Sequence, residues 1–158
     1  MTKANQIVGP IVALIALSVA AYFIFYGNQP SVVVGDPAGT VTTELRYDIA
    51  GQSCINFETG TLAAGGENYD MKLNNSCNFY TFDVTNIADV GVVSSLGQIT
   101  SIPTSGWVTT CSAVKSHGYV VKTVEGRYYR MRVSDHILSA GITTEGGVVG
   151  FTIKWAYL

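Results

Sequence analysis

One uncharged segment constrains this chain more than any other feature of its 158 residues. Residues 7–26 read IVGPIVALIALSVAAYFIFY, and the nearest formal charges are Lys3 and Asp36. A helix rises about 1.5 Å per residue, so a segment of this length reaches about 30 Å, the thickness of a bilayer's hydrocarbon core. Pro10 falls in the first helical turn, where proline is tolerated. The segment predicts a single transmembrane helix.

Two other interpretations of this segment stay open. A cleaved secretory signal would use Lys3 as its basic region and Ser18, Val19 and Ala20 as a small-residue cleavage site. A buried core helix is the other alternative, although it would be expected to have one polar face. The transmembrane interpretation is favoured because apolar residues continue past Ala20 to Tyr26.

The rest of the chain divides around the predicted helix. Residues 1–6 carry Lys3 and are expected to be a short cytoplasmic N-terminus, because basic residues stay on the cytoplasmic side. Residues 27–40 contain Pro30, Pro37 and three glycines and are predicted to be a linker. Residues 41–158 then form an extracytoplasmic domain. The predicted location is the inner (cell) membrane, with this domain in the periplasm or outside the cell.

Composition indicates the class of the domain and excludes one class of partner. Eleven Asp and Glu residues stand against nine Lys and Arg in the whole chain. Without Lys3 the balance is eight against eleven, a net charge of −3. No basic stripe is present, so nucleic acid is not expected as a partner. Residues 86–106 are mostly small and polar and predict an extended, loop-rich passage.

The last forty residues carry the clearest strand pattern. Residues 119–124 and 127–133 flank Glu125 and Gly126, which predicts a β-hairpin with a two-residue turn. Residues 148–158 alternate strictly and place five bulky side chains on one face. The predicted fold is all-β: a single antiparallel β-sandwich or barrel-like domain behind one N-terminal transmembrane α-helix.

The three cysteines, Cys54, Cys77 and Cys111, have no metal-binding spacing. Outside the cytoplasm, a disulfide is the usual role of two of them. Three pairings are conceivable, and Cys54 with Cys77 is preferred because both adjoin strand-like segments. That bond would close a loop of roughly two dozen residues and contribute about 3 kcal/mol to stability.

Several segments in order resemble HmuY-type proteins. They are FETGTL, YDMKL, TNIADVGVV, SGW, GYVVKTVEGRYYRMRV and the closing strand GFTIKWAYL, within residues 48–158. The resemblance implies an all-β protein of the cell surface or periplasm, in a family of which some members bind haem between two axial ligands. Members are commonly lipoproteins, whereas here no lipobox cysteine follows the apolar segment. Tyr69 and Asp70 stand where the family tends to have Trp-Asp.

Candidate site residues come from two sources. His117 and His136 flank the predicted hairpin, and together they could ligate haem iron, which accepts histidine ligands. The alternative is that both are solvated residues at strand ends. Trp155 and Tyr157 of the terminal strand, with Arg130 and Arg132 of the hairpin, are the candidates for partner docking. The sequence predicts no catalytic residues and no metal site other than haem.

Two function classes follow. The first is a non-catalytic, single-pass membrane-anchored accessory or structural subunit, whose β-domain docks on a larger integral membrane protein complex, respiratory or photosynthetic for example. It would contact the lipid bilayer and is expected to need no cofactor. The alternative is an HmuY-like haem-binding or haem-uptake protein, with haem as its cofactor. An enzyme is not expected, because the chain has no recognisable catalytic motif.

Overall fold

The computed structural model describes residues 34–63, 65, 69–81, 86–141 and 145–158, and within these ranges it contains ten β-strands. The strands are β1 (Val41–Arg46), β2 (Cys54–Asn56), β3 (Thr61–Ala63), β4 (Met71–Leu73), β5 (Asn78–Thr81), β6 (Asn86–Val92), β7 (Thr110–Ser112), β8 (His117–Lys122), β9 (Tyr128–Leu138) and β10 (Val148–Tyr157). Two short 3₁₀ turns, Leu96–Gln98 and Glu145–Gly147, complete the regular structure of these ranges.

The strands form two five-stranded sheets in which neighbouring strands are antiparallel. Sheet I has the order β1-β10-β9-β8-β6, and sheet II has the order β3-β2-β4-β5-β7. The predicted all-β, antiparallel architecture is therefore confirmed. The predicted transmembrane helix at residues 7–26 lies outside the described residues. Within the described ranges, no helix combines the length and apolar character needed to cross a bilayer.

The two sheets share one hydrophobic core. Sheet I contributes buried side chains such as Tyr119, Phe151 and Ile153, and sheet II contributes Met71 and Phe79. The Phe79 ring contacts the rings of both Tyr119 and Phe151, with centroids 5.3 and 6.2 Å apart. Each such side chain stabilises the fold by about 1.5–3 kcal/mol when it is fully buried.

The predicted hairpin and terminal strand are both present. β8 pairs with β9, and β10 lies between β1 and β9 near the middle of sheet I. The turn differs from the prediction: the Thr123 amide donates to the Arg127 carbonyl, so three residues form the loop. Gly126 has φ +79°, the left-handed conformation that ends such three-residue loops.

The expectation of a loop-rich passage at residues 86–106 is wrong in its first third. β6 occupies Asn86–Val92 and pairs with β8 along the edge of sheet I. Its pattern was obscured because Ala88 is small and Gly91 lies at a register irregularity, with φ +81°. β7 was also missed, because it has only three residues.

The end of the predicted linker packs against the domain. Asp36 accepts a hydrogen bond from the Leu96 amide at 2.9 Å and pairs with Lys154 at 2.7 Å. The hydroxyl of Ser95 donates to the Val34 carbonyl. Residues 34–36 therefore hold the first 3₁₀ turn over the outer face of sheet I.

Candidate functional site

An open cleft of about 480 Å³ lies where β1 and β9 begin and β10 ends, next to the turn that follows β2. We call it the aromatic cleft. It is lined by Gly39, Val41, Phe57, Glu58, Thr59, Gly60, Tyr129, Trp155, Ala156 and Tyr157. The alternation of β10 brings two of the predicted docking residues, Trp155 and Tyr157, to the same face and into this lining.

Four aromatic rings contact one another in the lining. Phe57 stacks on Tyr129 at 5.5 Å and meets Trp155 edge-on at 5.3 Å. Tyr129 also meets Trp155 and Tyr157 edge-on, at 5.7 and 5.5 Å. Trp155 is 6% exposed, whereas Tyr157 is 60% exposed. Tyr157 is therefore the solvent-facing wall of a cluster whose other rings belong to the core.

Glu58 provides the polar side of the cleft. Its carboxylate, in a side chain only 11% exposed, accepts hydrogen bonds from the Tyr129 hydroxyl at 3.0 Å and the Thr123 hydroxyl at 3.2 Å. Arg127 pairs with the same carboxylate at 2.6 Å. Burial and the nearby Glu58 carboxylate raise the pKa of Tyr129 to about 12, so this hydroxyl stays protonated and donates.

Asp70 lies behind Glu58 and joins sheet II to the β8–β9 turn. Its side chain is 1% exposed and accepts hydrogen bonds from the Phe57 amide at 2.8 Å and the Val124 amide at 3.5 Å. Burial is the main cause that raises the pKa of this carboxyl, and the charges of Glu125 and Glu58 add to it. Asp70 therefore positions Phe57, a wall of the cleft, without lining it.

The two histidines lie away from the aromatic cleft and have different surroundings. Both carboxylate oxygens of Asp89 lie 3.0–3.1 Å from Nδ1 of His117, which therefore donates to this acceptor. His136 meets Phe151 edge-on at 5.2 Å. Tyr119, Phe79 and Phe151 form a chain of ring contacts from one imidazole to the other. Joint ligation of haem stays a prediction.

The described residues contain no group of three or more His, Cys, Asp or Glu side chains placed to hold a metal ion. Haem needs no such group, because iron can be held by one or two axial side chains. His117 fits that role in one respect: its Nδ1 is fixed by a carboxylate, the arrangement that orients metal-ligating histidines and leaves Nε2 for the metal.

The disulfide predicted between Cys54 and Cys77 is not formed, and all three cysteines are free thiols. The alternation of side chains along β2 explains this. Ile55 points into the shared core, so its neighbour Cys54, which pairs with Lys72 of β4, points to the opposite face. Cys77 packs against that core. The two thiols therefore lie on opposite faces of sheet II.

Arg130 and Arg132, which were predicted to dock a partner, make hydrogen bonds within the domain. Arg130 donates to the Ile99 carbonyl at 3.1 Å, and Arg132 donates to the Val93 carbonyl at 2.9 Å. Both bonds hold the segment between β6 and β7 against the outer face of sheet I, the face opposite the shared core. Their role in binding a partner stays a prediction, and the structure does not bring them to Trp155 and Tyr157 in one cleft.

Sequence reasoning missed Glu58, Asp70 and Asp89. Glu58 meets its partners Thr123 and Tyr129 across 65 and 71 residues of sequence, and no local motif encodes such a contact. Glu58 and Asp70 each had one signal, their places in the FETGTL and YDMKL segments of the family resemblance. Asp89 had the same kind of signal, its place in the TNIADVGVV segment, although its strand was not predicted.

Comparison with solved structures places this fold among known ones. Apo PinO from Porphyromonas gingivitis matches with a TM-score of 0.53 at 11% identity, over 77% of this chain and 99% of that one. A protein named as a candidate HmuY-like haem-binding protein from Bacteroides vulgatus matches with 0.50 at 13% identity, over 79% and 96%. A candidate lipoprotein from Bacteroides fragilis matches with 0.55 at 12% identity, over 82% and 97%.

The chain has an HmuY-like fold. The resemblance noted in the sequence is thereby confirmed at the level of architecture. Sequence identities of 11–13% show a similar fold and nothing more. No family model and no curated protein matches the sequence. Because the HmuY-like fold is established here by shape alone, ligand and partner must be argued from this chain's own residues.

Proposed function

We propose that this chain is a non-catalytic binding protein of the cell envelope, anchored by residues 7–26, whose β-domain attaches it to a larger integral membrane protein complex. The observation that carries the proposal is the aromatic cleft, where Tyr157 is 60% exposed beside three rings of the core. Large aromatic side chains at an open, mostly apolar concavity are typical of binding sites. A neighbour of the same fold that is named as a candidate lipoprotein supports the location.

Site-specific photo-crosslinking in native membranes tests this proposal. A photoreactive phenylalanine derivative replaces Tyr157 in the cleft or, as a matched control, Tyr80, a 41% exposed tyrosine of sheet II. We expect position 157 to crosslink to integral membrane proteins that also co-purify in stoichiometric amounts in mild detergent. Crosslinking to the same proteins from position 80, or none from position 157, would contradict docking through the cleft.

Haem binding is the second candidate function, favoured by the hydrogen bond between Asp89 and Nδ1 of His117. In this reading His117 and His136 supply the axial nitrogens to a haem taken up from outside the cell. Haem would supply the redox and ligand-binding chemistry of its iron, and the protein would orient it.

The test is titration of the full-length protein with haem, followed by its Soret absorption. We expect a shifted Soret band that is lost in His117→Ala and weakened in Asp89→Asn, which leaves the ring without its charged acceptor. Lys115→Ala, next to the same strand, is the control. A Soret shift that survives His117→Ala and His136→Ala would rule out ligation by these two residues.

A further inference from the structure

The aromatic cleft combines exposed ring surface with a carboxylate. We propose that it is a subsite for an organic cation, of the class that ends in an ammonium or guanidinium group. This inference rests on the function proposed above and names the chemistry that the cleft recognises. Cations are attracted to the faces of tryptophan and tyrosine rings within about 6 Å of the ring centre, and more strongly where water is excluded.

The geometry of the walls suits such a group. Tyr157 forms an exposed aromatic wall, and the ring of Tyr129 lies 5.5 Å from it. The turn at Gly60 closes over the indole of Trp155: a Cβ at Gly60 would meet Cζ2 of that ring at 3.6 Å. The volume of about 480 Å³ falls within the usual range of ligand pockets and exceeds what one ammonium group needs.

The charges around the cleft have the sign that a cation requires. Glu58 is in the lining, and both Glu58 and Glu125 interact electrostatically with the buried Asp70. Arg127 contacts Glu58 at 2.6 Å and compensates one of these three carboxylates. Among the described residues of the lining there is no lysine or arginine, and Arg127 contacts the lining only through Glu58.

Two matched ligands test the inference with the full-length protein in a non-ionic detergent. Choline and 3,3-dimethylbutan-1-ol have nearly the same shape, but only choline is charged. With 5-fluorotryptophan incorporated, the ¹⁹F signal of Trp155 reports on the cleft, and that of Trp107, which packs on the other side of sheet I, is the internal control. We expect choline to bind at least about threefold more tightly than the alcohol.

A second pair identifies the source of the cation. Nα-acetyl-lysine amide and its neutral Nε-acetyl derivative represent a side chain presented by a partner protein. If the charged ligand binds more tightly only in the lysine pair, the cation is assigned to a protein partner. If it binds more tightly only in the choline pair, the cation is assigned to a small ligand. Equal or tighter binding of the neutral member in both pairs overturns the inference, whereas the crosslinking result at position 157 would stand independently.

Variants link the preference to the cleft. Glu58→Gln keeps the shape of the side chain and should reduce the charged-over-neutral preference, while Glu44→Gln, an exposed glutamate of β1, should leave it unchanged. Tyr157→Ala should weaken binding of the charged ligand. A preference that survives both cleft substitutions would place the cation elsewhere and overturn the assignment.

Discussion

Asp70 shows how one buried carboxyl group couples the fold to pH. The side chain is 1% exposed and bonded to the Phe57 amide, and burial raises its pKa above the ordinary value of 3.8. A raised pKa means that the folded protein binds a proton more readily than the unfolded chain does. The contribution of Asp70 to stability therefore falls as the pH rises from the unfolded pKa through the folded one.

Asp70→Asn should remove this loss of stability. The amide oxygen can still accept the Phe57 N–H, but the residue no longer ionises. Urea unfolding between about pH 4 and about pH 8 should show the variant gaining stability relative to the wild type as the pH rises. Asp70→Ala is the control: it leaves the buried amide unpaired and should be about 1–3 kcal/mol less stable than Asp70→Asn. A pH-independent difference between wild type and Asn variant would contradict this account.

Tyr119→Phe tests another buried polar group of the core. The Tyr119 side chain is fully buried; its hydroxyl donates to the Ser112 carbonyl at 2.8 Å and accepts the Val114 amide at 2.9 Å. Removing the hydroxyl leaves both backbone groups without this partner, so the free energy of unfolding should fall by about 1–3 kcal/mol. Tyr157→Phe, at a 60% exposed position, should change it by less than about 0.5 kcal/mol in the same urea experiment.

At the scale of elements, the sequence pattern predicted the long strands with regular alternation better than the strands whose alternation is interrupted. β10 and the β8–β9 hairpin were recognisable because bulky and polar residues alternate over many positions. β6 was not, because Ala88, Asp89 and Gly91 interrupt the pattern, although pairing with β8 specifies the strand. The aromatic cleft was half predicted: Trp155 and Tyr157 follow from alternation, whereas Glu58 reaches the cleft only through tertiary contacts.

Gly150 is an element-scale determinant, because β1 and β10 approach closely at this point. A Cβ at position 150 would collide with the Leu45 carbonyl oxygen and the Arg46 side chain. Gly150→Ala should therefore separate the two strands and lower the free energy of unfolding by about 1–3 kcal/mol, the usual cost of overpacking. Gly146→Ala is the matched control, since a Cβ there meets open space. Similar midpoints for the two variants in thermal unfolding would show that the strands can adjust freely.

At the scale of the whole molecule, the two sheets share the larger hydrophobic cluster, and a smaller cluster lies on the outer face of sheet I. Phe79 of sheet II contacts Tyr119 and Phe151 of sheet I, and Phe57 contacts Tyr129 and Trp155. Loss of either sheet would expose the inner face of the other to water. The physical consequence is that the two sheets should unfold together in a single cooperative step.

Phe79→Ala and Phe151→Ala test this cooperativity from opposite sides of the core. Each side chain is at most 1% exposed, so each truncation should cost about 3–5 kcal/mol. If the sheets unfold as one unit, both variants shift the same transition, and far-ultraviolet circular dichroism and tryptophan fluorescence give coincident curves in urea. Val92→Ala, at a 76% exposed position, should leave the curve in place. Two separated transitions in either variant would show that one sheet keeps its structure alone, which a shared core does not allow.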